Sequence, residues 1–302
     1  MAVTTRGYIS ALVAPDLRKV YVETGKERPL EYPLFFNVQD MEWNPVTDQQ
    51  VSGLGTLPSK GEGYPFSLDQ ILIGGTKQYT AAAFGMAVEI TWEAWRDELY
   101  GVMREMVAEL ARASRNRQEV DAWYIMNNAF TSTTVAQRGF DGAPLCSTGH
   151  VGMDGVTRAN EPDTAIGVSQ TYLQNAIIRF ENMTDDRNLP RLMAPSMYLV
   201  APKNKFAVRE ILGSPHKAYR ADNEINALVE EDLKWMVCHY FTTADYHFLC
   251  ANKGVHDINF LWRDHPIFDM FDDPWTKNAI ATVYQRHTKG HGTWRGVDGS
   301  PG

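Results

Sequence analysis

The residues with the most obvious chemistry in this chain are cysteines and histidines in its last third. They follow the pattern C-H-x7-H-x2-C-x5-H and comprise Cys238, His239, His247, Cys250 and His256. Thiolate and imidazole groups bind zinc, but this spacing matches no zinc signature such as CxxC paired with HxxxH. Both cysteines also fall in runs typical of buried strands, where a free cysteine is usually a small hydrophobic residue. We therefore expect no metal site and no cofactor.

The chain lacks the common signatures of nucleophilic catalysis. It contains no GxSxG elbow, no HExxH pair and no CGxCW-type segment. Cys146, Ser147 and His150 lie close together in a loop-like stretch, but no acid that would orient the histidine is obvious. Three adjacent acid pairs could supply an acid and a base: Asp185/Asp186, Glu230/Glu231 and Asp272/Asp273. Such pairs are more typical of solvated turns, so we expect no catalytic residue, and a metal-dependent hydrolase is the weaker alternative.

Residues 41–80 have a different character, with several glycines and little helical period. Weakly strand-like ends and these glycines predict a long hairpin whose tip lies near Gly53–Gly63. Glycine-rich loops can cradle phosphate, but there is no GxxxxGK[ST] motif and no strand–GxGxxG–helix context here. A two-stranded ribbon is marginally stable alone in water. This hairpin should therefore find a partner surface.

The most regular stretch of the sequence is Thr91–Phe130. Its apolar residues recur at steps of three and four, which predicts an amphipathic helix. Thr91 is a suitable N-cap, Glu93 falls in the first turn, and Gly101 is the one weak point. A helix over most of this stretch would be roughly 50–60 Å long, so we expect a rigid spine helix. Its apolar stripe includes Trp92, Trp95, Leu99, Met106, Leu110 and Trp123.

The remaining segments predict a chain that mixes helices and strands. Residues 1–40 are typical of an arm with one or two helical turns, and residues 136–167 of a long Gly/Pro/Asp loop. A helix is expected from Val168, then a buried strand over Met197–Pro202 and another helix. Four further strands are expected in one antiparallel sheet: Asp232–Phe241, Tyr246–Ala251, Ile258–Trp262 and Asn278–His287. The final GHGTWRGVDGSPG is expected to be a tail of low order.

Composition limits the class of protein. The chain has 302 residues, 44% of them hydrophobic and 22% charged, which is enough for a sizeable core. Its 29 basic and 37 acidic residues argue against a protein that coats nucleic acid phosphates. Three cysteines are too few for a disulfide framework and fit a reducing cytosol. We find no signal-peptide pattern and no apolar run near the ~18 residues of a membrane span, so we expect synthesis in the cytosol and no membrane partner.

In order and spacing, these parts resemble the major capsid proteins of tailed bacteriophages with the HK97-type fold, and among them the Mu-like prophage major head subunits. The segments that carry the resemblance are LPSKGEGYPF at the hairpin tip, FGMAVEITWEAWRDELYGVMREMVAELARA entering the long helix, NAFTS after it, and LVAPKNKFAVREIL followed by NEIN. They spread over most of the chain, and none of them is a catalytic fingerprint.

The resemblance implies an α+β chain with the HK97-like capsid fold. The implied parts are an N-terminal arm (1–40), an extended hairpin loop (41–80), a peripheral domain (81–159) with its spine helix at 91–130, an axial domain (160–250), and a return to the peripheral domain with a C-terminal tail (251–302). The family has no active site to carry over, so the resemblance also implies that the chain is not an enzyme.

By the same resemblance, the chain is a structural protein of the virion: a major head subunit that assembles into pentamers and hexamers of an icosahedral shell around double-stranded DNA. The extended loop would lie over the next subunit, with contacts from Gly53, Leu54, Leu57, Lys60, Glu62, Tyr64 and Phe66. Implied partners are copies of the chain, a separate scaffolding protein and a portal, with a decoration protein left open. Packaged DNA would make only weak, non-specific contact. The main alternative is another self-associating virion component, a tail tube or neck protein.

Overall fold

The computed structural model describes residues 9–97, 100–215 and 225–302. Its helices are α1 (Ile9–Lys26), α2 (Tyr32–Phe35), α3 (Trp92–Arg96), α4 (Tyr100–Asn127), α5 (Gln170–Glu181) and α6 (Lys205–Gly213). Its strands are β1 (Asn37–Asp40), β2 (Val46–Val51), β3 (Ile73–Tyr79), β4 (Ala82–Ile90), β5 (His150–Val151), β6 (Thr157–Arg158), β7 (Pro195–Val200), β8 (Lys234–Val237), β9 (His247–Ala251), β10 (Ile258–Asp272), β11 (Ala279–His291) and β12 (Val297–Ser300).

The first sheet has the strand order β1-β10-β11-β4. β1 is parallel to β10, whereas β11 is antiparallel to both of its neighbours. Helices α1 and α4 pack against each other and against this sheet. The core between them comes from both helices and three strands: Leu17, Ile90, Met103, Val107, Leu110, Phe268, Ala281 and Val283. Burial of this apolar face stabilises α4 more than its intrinsic helix propensity does.

The predicted spine helix is confirmed in type but differs in extent. The structure has α3 and then α4, and residues 98–99 between them lie outside the described part of the chain. Thr91 is the N-cap, as predicted, because its Oγ1 accepts the amide of Ala94 at 3.3 Å. α4 ends at Asn127, before the predicted end at Phe130. Its 28 residues span about 42 Å, against the roughly 50–60 Å expected for the whole stretch.

The N-terminal arm contains more helix than the sequence predicted. α1 is 18 residues long and includes Pro15, although proline normally interrupts a helix because it lacks an amide hydrogen. Leu17 is fully buried in the core shared with α4, and Tyr21 stacks on Phe268 with 5.0 Å between ring centres. Packing of this side of α1 on α4 and β10 outweighs the local cost of the proline, and local propensity could not reveal that.

The second sheet has the strand order β12-β9-β7-β8. β7 and β8 are parallel and α6 lies between them in sequence, whereas the other two pairs are antiparallel. The prediction of one antiparallel sheet over residues 232–287 is therefore wrong, since β8 and β9 lie in this sheet and β10 and β11 in the first. An alternating pattern shows that a segment is extended, but contacts far away in sequence select its neighbour.

The C-terminal segment belongs to the second sheet and is not a tail of low order. β12 pairs with β9, and Trp294, Val297 and Asp298 are buried. The carboxylate of Asp298 accepts the Tyr172 hydroxyl at 2.9 Å and two guanidinium nitrogens of Arg179 at 2.8 Å. The expectation of a disordered tail is wrong because partners on α5, not a local pattern, hold this segment.

A shared aromatic core joins the two sheets at the C-terminal end of α4. Trp123 packs edge-on against Phe36 at 5.3 Å between ring centres and lies in one cluster with Phe248 of β9 and Phe260 of β10. Glu119, one turn earlier, accepts the indole N–H of Trp123 at 3.0 Å. The spine helix is thus fixed to both sheets by its last turns.

The predicted hairpin is confirmed. β2 pairs antiparallel with β3, from Val46 opposite Tyr79 to Val51 opposite Ile73. Residues 52–72 connect the two strands without helix or strand, and we call them the tip loop. The long loop at 136–167 is also largely irregular, with only a 3₁₀ turn and the short pair β5 and β6.

Candidate functional site

The tip loop carries a group of apolar side chains that the subunit itself does not cover. Leu57 is 98% exposed, Leu68 is 95% exposed and Phe66 is 79% exposed. All seven residues that we predicted as contacts are exposed: Gly53, Leu54, Leu57, Lys60, Glu62, Tyr64 and Phe66. Single exposed apolar residues are common, but several on one projecting loop mark a surface that meets another molecule.

Hydrogen bonds give the tip loop a defined shape at its neck. The amide of Ser52 donates to the Leu72 carbonyl at 2.9 Å, and the amide of Leu72 donates to Ser52 Oγ at 2.9 Å. Further out, Asp69 Oδ2 accepts the backbone amide of Gly55 at 2.7 Å and so joins the outgoing and returning segments of the loop. The Lys60 ammonium lies 4.3 Å from the centre of the Phe66 ring. The loop therefore presents its side chains from a partly ordered support.

A second uncovered apolar surface is a groove between α4 and β4, the edge strand of the first sheet. Its two adjoining cavities have volumes of about 570 and 550 Å³ and share Met86, Leu110 and Ala113 in their walls. Met86 is 57% exposed. Because the outer edge of β4 has no neighbouring strand among the described residues, this side of the sheet is open to solvent.

The residues predicted for the spine stripe face the interior of the subunit where the structure describes them. Trp123 and Leu110 are buried, and Trp92 and Met106 are half-buried beside the core of the first sheet. Trp95 lies in α3, but its side chain is outside the described residues, as is Leu99. At least Trp123 is therefore a core residue of its own subunit and not a contact with another.

The three thiols are placed for packing and not for reactivity. Cys146, Cys238 and Cys250 are free and buried. Burial raises the pKa of each thiol well above its usual range. Since the thiolate is the nucleophile and the metal ligand, these cysteines are poor candidates for either role.

The histidines of the same sequence group are spread over separate environments. His247 packs edge-on against Tyr172 at 4.5 Å between ring centres, and His256 packs on Phe35 at 4.6 Å. Burial lowers the pKa of both histidines to about 4. His239 is instead at the surface. Within the described ranges, no group of three or more His, Cys, Asp or Glu side chains is arranged to hold a metal ion.

One pair resembles part of a catalytic triad and was missed in the sequence. Asp141 Oδ2 lies 2.6 Å from Nδ1 of His150, so the expectation that this histidine lacks an orienting acid is wrong. The other ring nitrogen, Nε2, lies 3.0 Å from Oδ1 of Asn160, and the ring is fully buried. Ser147 Oγ accepts the amide of Gly149 at 3.1 Å. Because both nitrogens face oxygen atoms of other side chains, neither is left to activate a nucleophile.

The adjacent acid pairs lie in or beside turns: Asp272 is the last residue of β10, and the other five acids lie between helices and strands. Asp185 Oδ1 accepts two amides of its own turn at 2.8 Å. Asp186 Oδ1 lies 2.9 Å from the buried guanidinium of Arg295. Asp273 accepts the amide of Trp275 at 3.1 Å in the turn between β10 and β11. Asp185 and Asp273 therefore organise the main chain, Asp186 pairs with an arginine, and none of these contacts joins two acids as an acid and a base.

The described helices include none that is long and apolar enough to cross a membrane. The tip loop and the groove between α4 and β4 are the two uncovered apolar surfaces described above. Neither is an enclosed pocket for a small molecule, and both would suit contact with a macromolecule.

Comparison with solved structures gives the same architecture at low sequence identity. The chain superposes on a virus-like particle subunit from Pyrococcus furiosus with a TM-score of 0.56 and 7% identity, covering 95% of this chain and 98% of that chain. It matches a chain from Mycobacterium phage Adephagia with a TM-score of 0.55 and 10% identity, covering 97% and 93%. A procapsid chain of bacteriophage JBD30 gives a TM-score of 0.51 and 13% identity, covering 96% and 74%.

These similarities show the fold, which is the HK97-like capsid fold expected from the sequence. No curated protein matches the chain at a significant level. A sequence model described as phage capsid protein matches residues 74–297, which is more than half of the chain and includes the spine helix and most strands of both sheets. This chain therefore belongs to the phage capsid protein family and is a structural subunit of a phage shell.

Proposed function

We propose that this protein is the major head subunit of a tailed phage or prophage, and that its copies form pentamers and hexamers of an icosahedral shell around double-stranded DNA. The observation that supports this most directly is the tip loop, whose apolar side chains project from a folded subunit that does not cover them. In a family of shell subunits, the surface that covers such a loop is another copy of the chain.

The contact that the tip loop offers is heterologous, because the loop of one copy meets a different surface of the next. Contacts of this kind form closed rings when the rotation between copies closes. We propose that the groove between α4 and β4 takes part in the same set of contacts, since it is apolar and open on the isolated subunit. Several modest contacts per subunit add up strongly in a shell because assembly is multivalent.

The division into domains follows the two sheets. We propose that the first sheet with α4 forms the peripheral domain and that the second sheet with α5 and α6 forms the axial domain. The last strand, β12, belongs with the axial domain in this proposal because it pairs with β9. From the arm at 1–40, α1 and β1 pack on the first sheet, and the hairpin at 41–80 is then the extension that reaches beyond these two domains.

The remaining functional assignments rest on the family and on the sequence resemblance. We propose that the protein is not an enzyme, that it resides in the virion after synthesis in the host cytoplasm, and that its partners are its own copies, a separate scaffolding protein and a portal. The placement among Mu-like prophage head subunits rests on the sequence resemblance alone. The net charge of −8 fits a shell whose inner surface does not bind the packaged DNA tightly.

The proposed role of the tip loop can be tested by replacing residues 56–67 with a Gly-Gly link. The hydrogen bonds between Ser52 and Leu72 and between Gly55 and Asp69 would be kept. We expect a folded subunit with the circular dichroism spectrum of the wild type, because the loop contributes little to the core. Sedimentation velocity should then show small species where the wild type forms shells.

A double substitution, Leu57→Ser with Phe66→Ser, should weaken assembly in the same direction. Leu192→Ser is the matched control, because Leu192 is 96% exposed but lies outside the hairpin; it should assemble as the wild type does. Closed shells from the Gly-Gly variant would show that the loop makes no essential contact with a neighbour. Unfolding of that variant would show that the loop belongs to its own core.

A further inference from the structure

Asn160 joins the long loop after α4 to the second sheet, and its contacts fix the orientation of its side chain. Its Nδ2 donates to the carbonyl oxygens of Leu145 at 2.8 Å and Val297 at 2.9 Å. Its Oδ1 accepts the backbone amide of Ser147 at 2.9 Å. Turning the amide group round would place an oxygen against two carbonyl oxygens. The atom of Asn160 that faces His150 is therefore Oδ1, which is a hydrogen-bond acceptor.

His150 lies between this amide and a carboxylate, so both of its ring nitrogens face acceptors. Nε2 lies 3.0 Å from Oδ1 of Asn160, and Nδ1 lies 2.6 Å from Oδ2 of Asp141. The other oxygen of Asp141 accepts the backbone amide of Ala143 at 3.1 Å, as expected of a carboxylate. A neutral imidazole has only one N–H and would leave one nitrogen lone pair against an oxygen lone pair. The imidazolium form, with two N–H groups, satisfies both contacts.

The packing around the ring suits a positive charge. His150 is fully buried and stacks on the indole of Trp294 with 4.4 Å between ring centres. A cation over an indole face is favourable, and most of all where water is excluded. Arg158 lies opposite His150 in the pair of β5 and β6, but its guanidinium is turned to Asp154 at 2.6 Å. The partner that compensates the charge of His150 is therefore Asp141.

Glu161 and His291 also lie near the ring. Burial raises the pKa of the Glu161 carboxyl. The pKa of His291 lies well below its usual range, first because of burial and then because of the positive charges of Lys77 and His150. His291 is therefore neutral. The ammonium of Lys77 donates to the carbonyl oxygen of His291 at 2.6 Å, and burial lowers the pKa of Lys77 to about 8. Any test of His150 in alkali must therefore be separated from the titration of Lys77.

The segment between Asp141 and Asn160 depends on such contacts for its position. Its regular structure consists of the two-residue strands β5 and β6. It is tied to β12 through Asn160, whose main-chain oxygen also accepts the amide of Gly299 at 3.0 Å. Segments with few regular hydrogen bonds open locally more readily than the core does. Charge-assisted hydrogen bonds in a buried site are strong, so those of His150 should contribute much to holding this segment.

We propose that residues 141–160 are held on the second sheet by a proton-dependent clasp, in which the imidazolium of His150 joins the carboxylate of Asp141 to the amide oxygen of Asn160. Loss of one ring proton in alkali removes a donor and leaves two buried acceptors facing each other, which is unfavourable. The stabilisation by the clasp is therefore present at low pH and lost as the pH rises. This is the opposite sign to that of a histidine buried in its neutral form.

Nitrogen NMR of the sedimented full-length protein, labelled at histidine, reads the protonation state directly, whether or not the subunits are assembled. Both ring nitrogens of His150 should carry a hydrogen at pH 7.5, and the spectrum of His150→Gln assigns their signals. In Asp141→Asn the new amide can donate to Nδ1, so a neutral ring satisfies both contacts. One ring nitrogen should then lack a hydrogen. A ring nitrogen without a hydrogen in the wild type at pH 7.5 would overturn the proposal.

Hydrogen exchange with mass spectrometry on dilute subunits, corrected for the intrinsic pH dependence of amide exchange, measures the hold of the clasp on the loop. Protection of residues 141–160 in the wild type should fall about tenfold between pH 7 and pH 9.5, an effect of the order of one lost buried hydrogen bond. Asp141→Asn should keep its protection over this range. Because Lys77 is present in both proteins, its titration affects both equally.

Asp40→Asn is the matched control, since Asp40 lies 2.8 Å from a histidine, His265, at the surface. Its loop should show the pH dependence of the wild type. An equal loss of protection in the wild type and in Asp141→Asn, or no loss in the wild type up to pH 9.5, would overturn the clasp. If Asp141→Asn does not fold, the nitrogen spectrum of the wild type still decides the question. Neither readout depends on shell formation, so failure of the clasp is distinct from failure of the proposed function.

Discussion

At the scale of single residues, several of the polar side chains buried in this subunit are histidines. His247 is fully buried on β9, and its Nδ1 lies 2.9 Å from the carbonyl oxygen of Asp245. His256 is buried beside Phe35, and its Nδ1 accepts the amide of Ile258 at 3.3 Å. The Nε2 atoms of both are buried without a hydrogen-bond partner among the described residues. Both side chains are therefore built to remain neutral in the folded subunit.

This neutrality predicts a loss of stability in acid. The pKa of each histidine falls from 6.5 to about 4 on folding because of burial. Between those values the unfolded chain binds protons that the folded subunit does not, so the free energy of unfolding decreases as the pH falls from 6.5 towards 4. Each residue should account for on the order of 3 kcal/mol over this window. Urea unfolding of dilute subunits between pH 4.5 and 7.5 measures the effect.

The variant His247→Asn with His256→Asn isolates this contribution, because an asparagine side chain can replace the hydrogen bond of Nδ1 but does not titrate. Its unfolding free energy should depend less on pH than that of the wild type, while the carboxylates contribute equally to both. His265→Asn changes an exposed histidine and is the control. A double variant whose stability falls as steeply in acid as that of the wild type would contradict the assignment.

At the scale of secondary-structure elements, the clearest contrast between sequence and structure concerns β12. The spine helix, the hairpin, α5 and β7 could be predicted because each has a local signal: a helical period, glycine turns, an N-cap or an apolar run. β12 has no such signal, since its residues are Val297, Asp298, Gly299 and Ser300. Its place is decided by Arg179 and Tyr172, which are more than a hundred residues away in sequence.

The same contrast holds for the candidate site. The tip loop could be identified from glycines and apolar residues in a ribbon too small to stand alone. The contacts that hold the hairpin on the body could not, because they join Lys77 to the carbonyl oxygens of Arg138 and His291, and Arg187 to residues 69–70. The orienting acid of His150 was missed for a different reason. Asp141 is close in sequence, but only the fold of the loop turns it towards the ring.

The docking of β12 on α5 can be tested by removing the cation that neutralises Asp298. Arg179→Met should lower the free energy of unfolding by about 3–5 kcal/mol, because it leaves a carboxylate buried without its partner. Urea unfolding of dilute subunits measures this loss. Lys203→Met is the control, since Lys203 pairs with Asp245 where both side chains are more than half exposed. It should cost no more than about 1 kcal/mol. If Arg179→Met also lowered the free energy of unfolding by no more than about 1 kcal/mol, β12 would be held by other contacts.

At the scale of the whole molecule, the subunit combines a rigid body with a long extension. The two sheets share an aromatic core at the end of α4, which fixes their relative position within one chain. The hairpin leaves this body beside the buried Lys77 and ends in apolar side chains that its own subunit does not cover. A rigid body with a projecting arm suits a shell built from heterologous contacts between identical chains.

The central claim is that copies of this chain close into a shell through contacts between neighbours, and electron microscopy of the purified, expressed protein tests it most directly. We predict closed spherical particles whose capsomers are pentamers and hexamers, and no such particles from the Gly-Gly tip-loop variant. Tubes of fixed diameter would contradict the account and would instead indicate a tail-tube protein.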